Sequence, residues 1–352
     1  MNTKYTSFSI AGRAIGPDQP PFIILEAGIN HNGQLDLALE MIRVAKQAGA
    51  DAIKFQTFKA EEFVADVKQM FTYKSQGKVV TESMLEMFRR YQFNPAEWQR
   101  IKAYCDETGI IFISTPQNVS DLEILLECGV PAAKIGSDDF TNLPLLKRYA
   151  QTRLPLILSC GMSDLADVYK ALEAVGYYEG YPVALLVCTS EYPTPADSVN
   201  ISRLSTLACA FKGLLLGFSD HTQGERAAVM ATALGACIFE KHFTLDHNLP
   251  GPDHWFSDNL DEAVKWGEAI RDAYRMRGNG RVVPSEMEKH NKNEFQRVMV
   301  AAQPIRRGEQ FSEDNITFRR VQSGAGWSPA FFGRFKGKIA HRNFSIMEPI
   351  DL

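Results

Sequence analysis

Long apolar runs are missing from this chain. No stretch approaches the roughly 20 apolar residues that span a bilayer, and the N-terminal MNTKYTSFSIAGRAIGPDQP is polar, without a signal-peptide core. Basic excess is also missing: the net charge is -4, which supplies no field for nucleic acid or anionic lipid. The six cysteines, at 105, 128, 160, 188, 209 and 237, form no C-x-x-C pair and several sit in apolar runs. Reduced, buried thiols in a cytoplasmic protein are the expectation, and zinc held by these sulfurs is not. No G-x-G-x-x-G follows the first strand-like run, which argues against dinucleotide binding.

What is present is alternation. Eight β-rich runs, at 22–28, 52–57, 110–115, 132–137, 155–160, 183–189, 214–220 and 237–244, are separated by amphipathic segments such as LDLALEMIRVAKQAG and PAEWQRIKAYCDETG. Apolar strands alternating with helices imply a parallel sheet covered by helices. Eight units in about 250 residues fit a (β/α)8 TIM barrel better than an open sheet. Residues 58–94 are too long for one connection and read as an inserted loop at the barrel mouth. At 352 residues a second domain is expected. The division is a barrel over 1–275, a polar linker over 276–295 and a small strand-bearing domain over 296–352.

Polar residues gather at the ends of the runs: Glu26, Lys54 with Gln56, Thr115, Lys134 with Ser137, Ser159, Ser219 with His221, and Glu240 with His242. In this fold the C-terminal strand ends carry the active site. Residues two apart on a strand share a face, so each of these pairs points one way. Lys54 and Lys134 lie among apolar neighbours, where a bare ammonium is costly. Either they pair with barrel glutamates, or with the hydroxyls they make a pocket for a small polyanion such as phosphoenolpyruvate. His221 and His242 come from consecutive strands and can share a metal ion with open coordination positions. His31 and Asn32 read equally well as turn residues. Tyr192 and Asp253 lie in segments after strands six and eight.

The motifs EAGINHNG, GADAIKFQT, FISTP, KIGS, CTSEYPT, GFSDHT, EKHFT and PGPDH appear in this order across the first 254 residues. Together they resemble the sialic acid synthase family, including legionaminic acid synthases, and residues 296–352 resemble its antifreeze-like SAF domain. The resemblance implies a TIM barrel, a domain-swapped homodimer and a divalent metal, usually manganese, with magnesium or cobalt as substitutes. It implies condensation of phosphoenolpyruvate with an N-acylated amino sugar to a nine-carbon 2-keto acid. His221 and His242 match metal ligands. Lys54, Thr115, Lys134, Ser137, Ser190 and Ser219 match phosphoenolpyruvate-site positions. Glu26, Gln56, Ser159, Tyr192 and Asp253 match positions around the sugar and reacting centre. Glu26, Lys54 and Glu240 are the catalytic candidates. Arg320 matches an arginine that reaches the sugar from the partner subunit. Ser190, Asp138 and Cys160 depart from frequent family residues, and the sugar stays open among N-acetylmannosamine, its 6-phosphate and a 2,4-diacetamido-2,4,6-trideoxy hexose. A shorter phosphoenolpyruvate-dependent 3-deoxy-keto acid synthase and an inactive carbohydrate-binding protein are the rival readings.

Overall fold

Strand alternation decides how this chain is built. The computed structural model describes residues 8–322 and 325–351, and the chain divides into two units between Gly278 and Asn279. In the first unit, strands β1 (Phe22–Gly28), β2 (Ala52–Thr57), β3 (Ile111–Pro116), β4 (Ala133–Ile135), β5 (Leu156–Ser159), β6 (Val183–Cys188), β7 (Leu215–Asp220) and β8 (Ile238–His242) pair in parallel in sequence order. β8 pairs with β1 and closes the barrel. Helices α1 (Leu35–Gln47), α2 (Pro95–Thr108), α3 (Val119–Glu127), α4 (Leu143–Ala150), α5 (Leu165–Ala174), α6 (Arg203–Ala210), α7 (Arg226–Ala233) and α8 (Leu260–Arg277) return the chain between strands or follow the last one. The fold is the expected (β/α)8 barrel. Among the described residues no helix is long and apolar enough to cross a membrane.

Each strand has an outward column and an inward one. Outward residues such as Ile23, Leu25, Ile53, Phe55, Phe218 and Phe239 pack with the helices in the main core. The inward columns change character along their length. Phe22 and Ile24, Ala52, Ile113, Ala132, Ile157, Ala184 and Leu186, Leu215 and Ile238 form a dry cluster at the N-terminal end. Ile10 and Ile15, from a short antiparallel hairpin ahead of β1, join that cluster. One step further on, the same columns present Glu26, Lys54, Thr115, Lys134, Ser159, Cys188, Ser219 and Glu240 to a cavity.

The helices obey local rules that the sequence displays. α2 starts at Asn94, which shares a capping box with Glu97, has Pro95 in its first turn, and stops at Gly109 with φ 70°. Its apolar face carries Trp98, Ile101 and Cys105, all buried.

Two expectations need correction. Residues 58–94 are regular rather than a loop: a short helix Ala60–Phe63, a hairpin of Met70–Ser75 with Lys78–Ser83, and a helix Met84–Tyr91. Gln76 and Gly77 both have positive φ at its two-residue turn, as such a hairpin demands. The polar stretch 276–295 is not all linker either. α8 continues to Arg277, and Ser285, boxed with Glu288, caps a helix Glu286–Phe295. Beyond it, β9 (Val298–Ala301) and β10 (Ile316–Arg319) pair antiparallel over a core containing Met299, Ile305, Phe311, Phe335 and Phe344. Ser323 and Gly324, in the stretch RRVQSGAGWSP, and the first seven residues lie outside the described residues.

Gly33 fixes the turn after β1 against the insertion. Its φ is +67°, and a Cβ there would overlap the backbone carbonyl of Arg90. Gly33→Ala should cost about 2 kcal/mol or more, from the left-handed backbone and the displaced carbonyl together. Chemical denaturation of the variant checks this, and wild-type stability would contradict it.

Candidate active site

The polar ends of the inward columns line a cavity of about 550 Å³. Its floor is an ion network. Lys54 Nζ lies 2.6 Å from Glu26 Oε1 and 4.0 Å from Glu240 Oε1, and donates to Thr115 Oγ1 at 3.2 Å. Lys134 Nζ lies 3.7 Å from Glu240 Oε1 and donates to Ser159 Oγ at 2.7 Å. Ser219 donates to Glu240 at 3.3 Å, and Gln56 Nε2 to Glu26 at 3.3 Å. Strand register explains these meetings, since Glu26 is paired with Lys54, Gln56 with Thr115, and Ser219 with Glu240. The two sequence readings of the lysines were not alternatives: both lysines pair with barrel glutamates and both line the cavity.

Burial sets the proton affinities. It pushes the Glu26 carboxyl above the ordinary carboxylate range, against the pull of Lys54, and Glu240 adds to the rise. Burial also opposes the charge on Glu240, but Lys134 and Lys54 outweigh it and hold that carboxyl low. Burial works against the Lys54 ammonium as well, yet Glu240 and Glu26 hold it above its usual value. Lys134 is lowered, first by burial and then by Lys54. Of the two carboxyls, Glu26 is therefore the one that more readily takes a proton. Glu26 Oε2 and Glu240 Oε2 are buried without hydrogen-bond partners among the described residues. Asp253, on the cavity wall, is pushed up to about 7 by burial and by Glu26.

His221 and His242 stand side by side with ring centroids 5.5 Å apart. His221 Nδ1 lies 2.7 Å from the Thr189 carbonyl. That contact assigns the proton to Nδ1 and leaves the Nε2 lone pair free. His242 Nδ1 is buried and unpartnered among the described residues, and burial, then His221, holds this imidazole well below its ordinary value. Burial works against a charge on His221, but Cys188, the Thr189 carbonyl and Glu240 hold its imidazole above the ordinary value. In their neutral forms the two adjacent imidazoles suit a divalent ion that keeps positions open for other ligands. Among the described residues no group of three or more His, Cys, Asp or Glu side chains is arranged to hold a metal.

Tyr192 lies against His221, with centroids 4.2 Å apart, and Phe256 contacts both Tyr192 and His242. Ser137 and Ser190 converge on Gly161, whose N–H donates to Ser137 Oγ at 3.0 Å. Arg320 belongs to the second unit, where its guanidinium lies over Phe295. His31 and Asn32 are support residues behind the site. His31 is buried and stacked on Phe93, while Asn32 takes the positive φ of a turn and its Oδ1 lies 3.2 Å from His254 Nε2.

Sequence reasoning missed the upper wall. Phe63, Phe71, Tyr73, Lys74 and Phe88 of the insertion line the cavity, with Trp255 and Phe256 of the segment after β8. These two segments are tied together. Gly251 N–H donates to Ser75 Oγ at 3.0 Å, Gln76 Nε2 to Asn248 O at 2.8 Å, and Lys74 Nζ sits 4.6 Å above the Trp255 ring. The signal available was the aromatic content of 58–94.

Gly161, just past the end of β5, was missed as well. A Cβ on it would come within 2.5 Å of Ser190 Oγ and 2.6 Å of Ser137 Oγ. Gly161→Ala should push both hydroxyls aside and weaken binding of a small anion by about 1–3 kcal/mol per hydrogen bond lost, with the fold retained. Titration with phosphoenolpyruvate reads this, and unchanged affinity would remove the two serines from the binding set.

Residues 41–282 match the model of the NeuB family. The N,N'-diacetyllegionaminic acid synthase of Campylobacter jejuni is 38% identical over 330 residues, covering 93% of this chain and 98% of that protein. The human N-acetylneuraminate-9-phosphate synthase is 33% identical, over 93% of this chain and 90% of its own length. A solved N-acetylneuraminic acid synthetase from Leptospira borgpetersenii superposes with a TM-score of 0.75 at 31% identity, covering 84% of this chain and 99% of that one. With a family match over most of the barrel and relatives aligned along nearly their whole length, this chain belongs to the NeuB family.

Proposed function

We propose that the chain condenses phosphoenolpyruvate with a non-phosphorylated N-acylated amino sugar, by preference a 2,4-diacetamido-2,4,6-trideoxymannose, giving a nonulosonate and inorganic phosphate. The observation that carries this is the cavity's two-zone chemistry. Its floor has two lysines and the hydroxyls of Thr115, Ser137, Ser159, Ser190 and Ser219 for a compact polyanion, and its upper wall is aromatic. Phosphoenolpyruvate, with a phosphate and a carboxylate, suits the floor. A sugar bearing acetyl groups and a methyl in place of a hydroxymethyl suits the wall. N-acetylmannosamine shares one acetyl group and is the second choice. Among the described residues, Lys74 is the one lysine or arginine that lines the cavity beyond the floor, which favours a non-phosphorylated sugar.

In this reading C3 of phosphoenolpyruvate attacks the aldehyde carbon of the open-chain sugar, forming the new C–C bond. Water adds at C2, and the C2–O bond to phosphate then breaks, leaving the 2-keto acid. Lys54 and Lys134 hold the phosphate as it departs and gathers charge. Ser137, Ser190 and Ser219 orient the anion. Glu26, with its proton affinity raised and Oε2 unpaired, is placed to hand a proton to the new sugar oxygen or take one from water. Glu240 keeps both lysines in place. Gln56, Ser159, Tyr192 and Asp253 bound the sugar, and the ring of Tyr192 covers His221. A divalent ion, manganese with magnesium or cobalt as substitutes, would be held by His221 and His242 and would polarise the sugar's carbonyl oxygen. A domain-swapped homodimer completes the proposal, with Arg320 donating to the sugar bound by the other subunit.

One experiment covers substrate and bond cleavage. The three candidate sugars are each incubated with phosphoenolpyruvate carrying oxygen-18 at its bridging C–O position. Turnover should be fastest with the diacetamido sugar, and the label should appear in inorganic phosphate. Preference for the 6-phosphate would overturn the sugar assignment. Label retained in the keto acid would overturn the C–O cleavage.

A further inference from the structure

The strand residues beside the two imidazoles point the other way, out of the barrel, and meet in a second buried ion cluster. Asp220 precedes His221 and Lys241 precedes His242, and the two are directly paired across β7 and β8. Lys241 is 2% exposed, and its Nζ lies 3.2 Å from Asp220 Oδ2 and 4.0 Å from Asp258 Oδ1. It also donates to the carbonyls of Thr222 and Gly224, in the segment that follows His221. Asp220 accepts from Trp266 Nε1 at 2.9 Å and from the Thr222 N–H and hydroxyl at 2.9 and 2.7 Å. Asp258 N–H donates to the His242 carbonyl at 2.9 Å. One ammonium thus grips the chain on both sides of His221 and reaches towards the residue stitched to His242.

Burying an ammonium and two carboxylates costs several kcal/mol that an apolar trio of equal volume avoids, so added stability does not account for the cluster. What charges supply is direction: each acceptor has one place to be. We propose that Lys241 is a positioning residue that sets the depth and separation of the His221 and His242 rings from the far side of the barrel wall, and so sets the affinity of the site for a divalent ion. The inference rests on the metal reading given above. Lys241 touches neither substrate nor the reacting atoms, and the floor that binds phosphoenolpyruvate has its own lysines, so the two affinities should separate.

The test uses the full-length chain. Free manganese is titrated by electron paramagnetic resonance against wild type, His221→Ala, Lys241→Met, Lys241→Arg and Trp266→Phe. Phosphoenolpyruvate affinity is measured on the same proteins with chelator present, and circular dichroism reports the fold. Wild type should bind manganese and His221→Ala should not. Lys241→Met should weaken manganese about 10–100-fold, the usual effect of losing an outer partner of a metal ligand, with phosphoenolpyruvate affinity unchanged. Lys241→Arg should recover part of the loss. Trp266→Phe frees Asp220 of one donor without stranding a charge, so it should weaken manganese by a smaller, measurable factor, and it decides the matter if Lys241→Met does not fold. Wild-type manganese affinity in folded Lys241→Met, or failing that in Trp266→Phe, would overturn the inference alone. Equal losses of both affinities would also overturn it, as the mark of general damage. A wild-type chain that bound no manganese would overturn the metal reading and the inference together.

Discussion

The contact of Lys54 with Glu26, 2.6 Å long and almost sealed from solvent, is the constraint around which the rest of the site is arranged. Neither group can sit at that depth alone, because an unpaired buried charge is prohibitively costly. Pairing makes the position tolerable without discharging the pocket. Glu240 lies within 4.0 Å of Lys54 and 3.7 Å of Lys134, so a single carboxylate steadies both ammonium groups. Glu26 meanwhile is pushed towards its protonated form. That shift favours cationic character in the floor and suits Glu26 to a proton transfer. Preorganised charge of this kind needs no rearrangement when the reaction begins.

The barrel makes such a cluster possible by dividing its interior lengthwise. Isoleucine, leucine, alanine and phenylalanine fill the lower half of the inward columns, plugged by Ile10 and Ile15, and the charges begin only above them. The dry layer fixes strand register, and register fixes which polar ends meet. On the outside, the Lys241 cluster lies against α8 through Trp266. Above, the hairpin of Met70–Ser83 and the segment after β8 hold one another through Ser75, Gln76 and Lys74, and add aromatic surface to the cavity wall. One end of a single barrel thereby offers a charged floor, a pair of imidazoles and an apolar wall within reach of one small molecule.

Much of this was legible in the sequence, because it depends on local pattern. The period of two in AIKFQT places Lys54 and Gln56 on one face, and the capping signals at Asn94 and Gly109 mark the limits of a helix. What escaped depends on contacts between distant segments. Nothing local says that Phe71 and Phe88 will line one cavity with Trp255, or that Gly161 must be bare to let Ser137 and Ser190 close in. Lys241 sits beside His242 in EKHFT, yet its partners Asp220, Thr222 and Gly224 come from the preceding strand and its loop. The helix Glu286–Phe295 hid for another reason: apart from Met287 and Phe295 its sequence is polar, with no apolar stripe, and only the cap at Ser285 betrays it. For the lysines, the sequence posed a choice between structural pairing and ligand binding. The structure shows the pairing with Glu26 and Glu240 and also sets both lysines among the residues that line the cavity.

The central claim is that the buried lysines keep charge available to a ligand although each is already near a carboxylate. Calorimetric titration of phosphoenolpyruvate into wild type, Lys54→Met and Lys134→Met, each verified as folded, tests it most directly. Methionine keeps most of the apolar stem, so the loss should fall on the anion: about 2–5 kcal/mol of binding for each variant, the cost of removing one partner from a desolvated charge pair. Wild-type affinity in both folded variants would contradict the account and reduce the lysines to partners of Glu26 and Glu240.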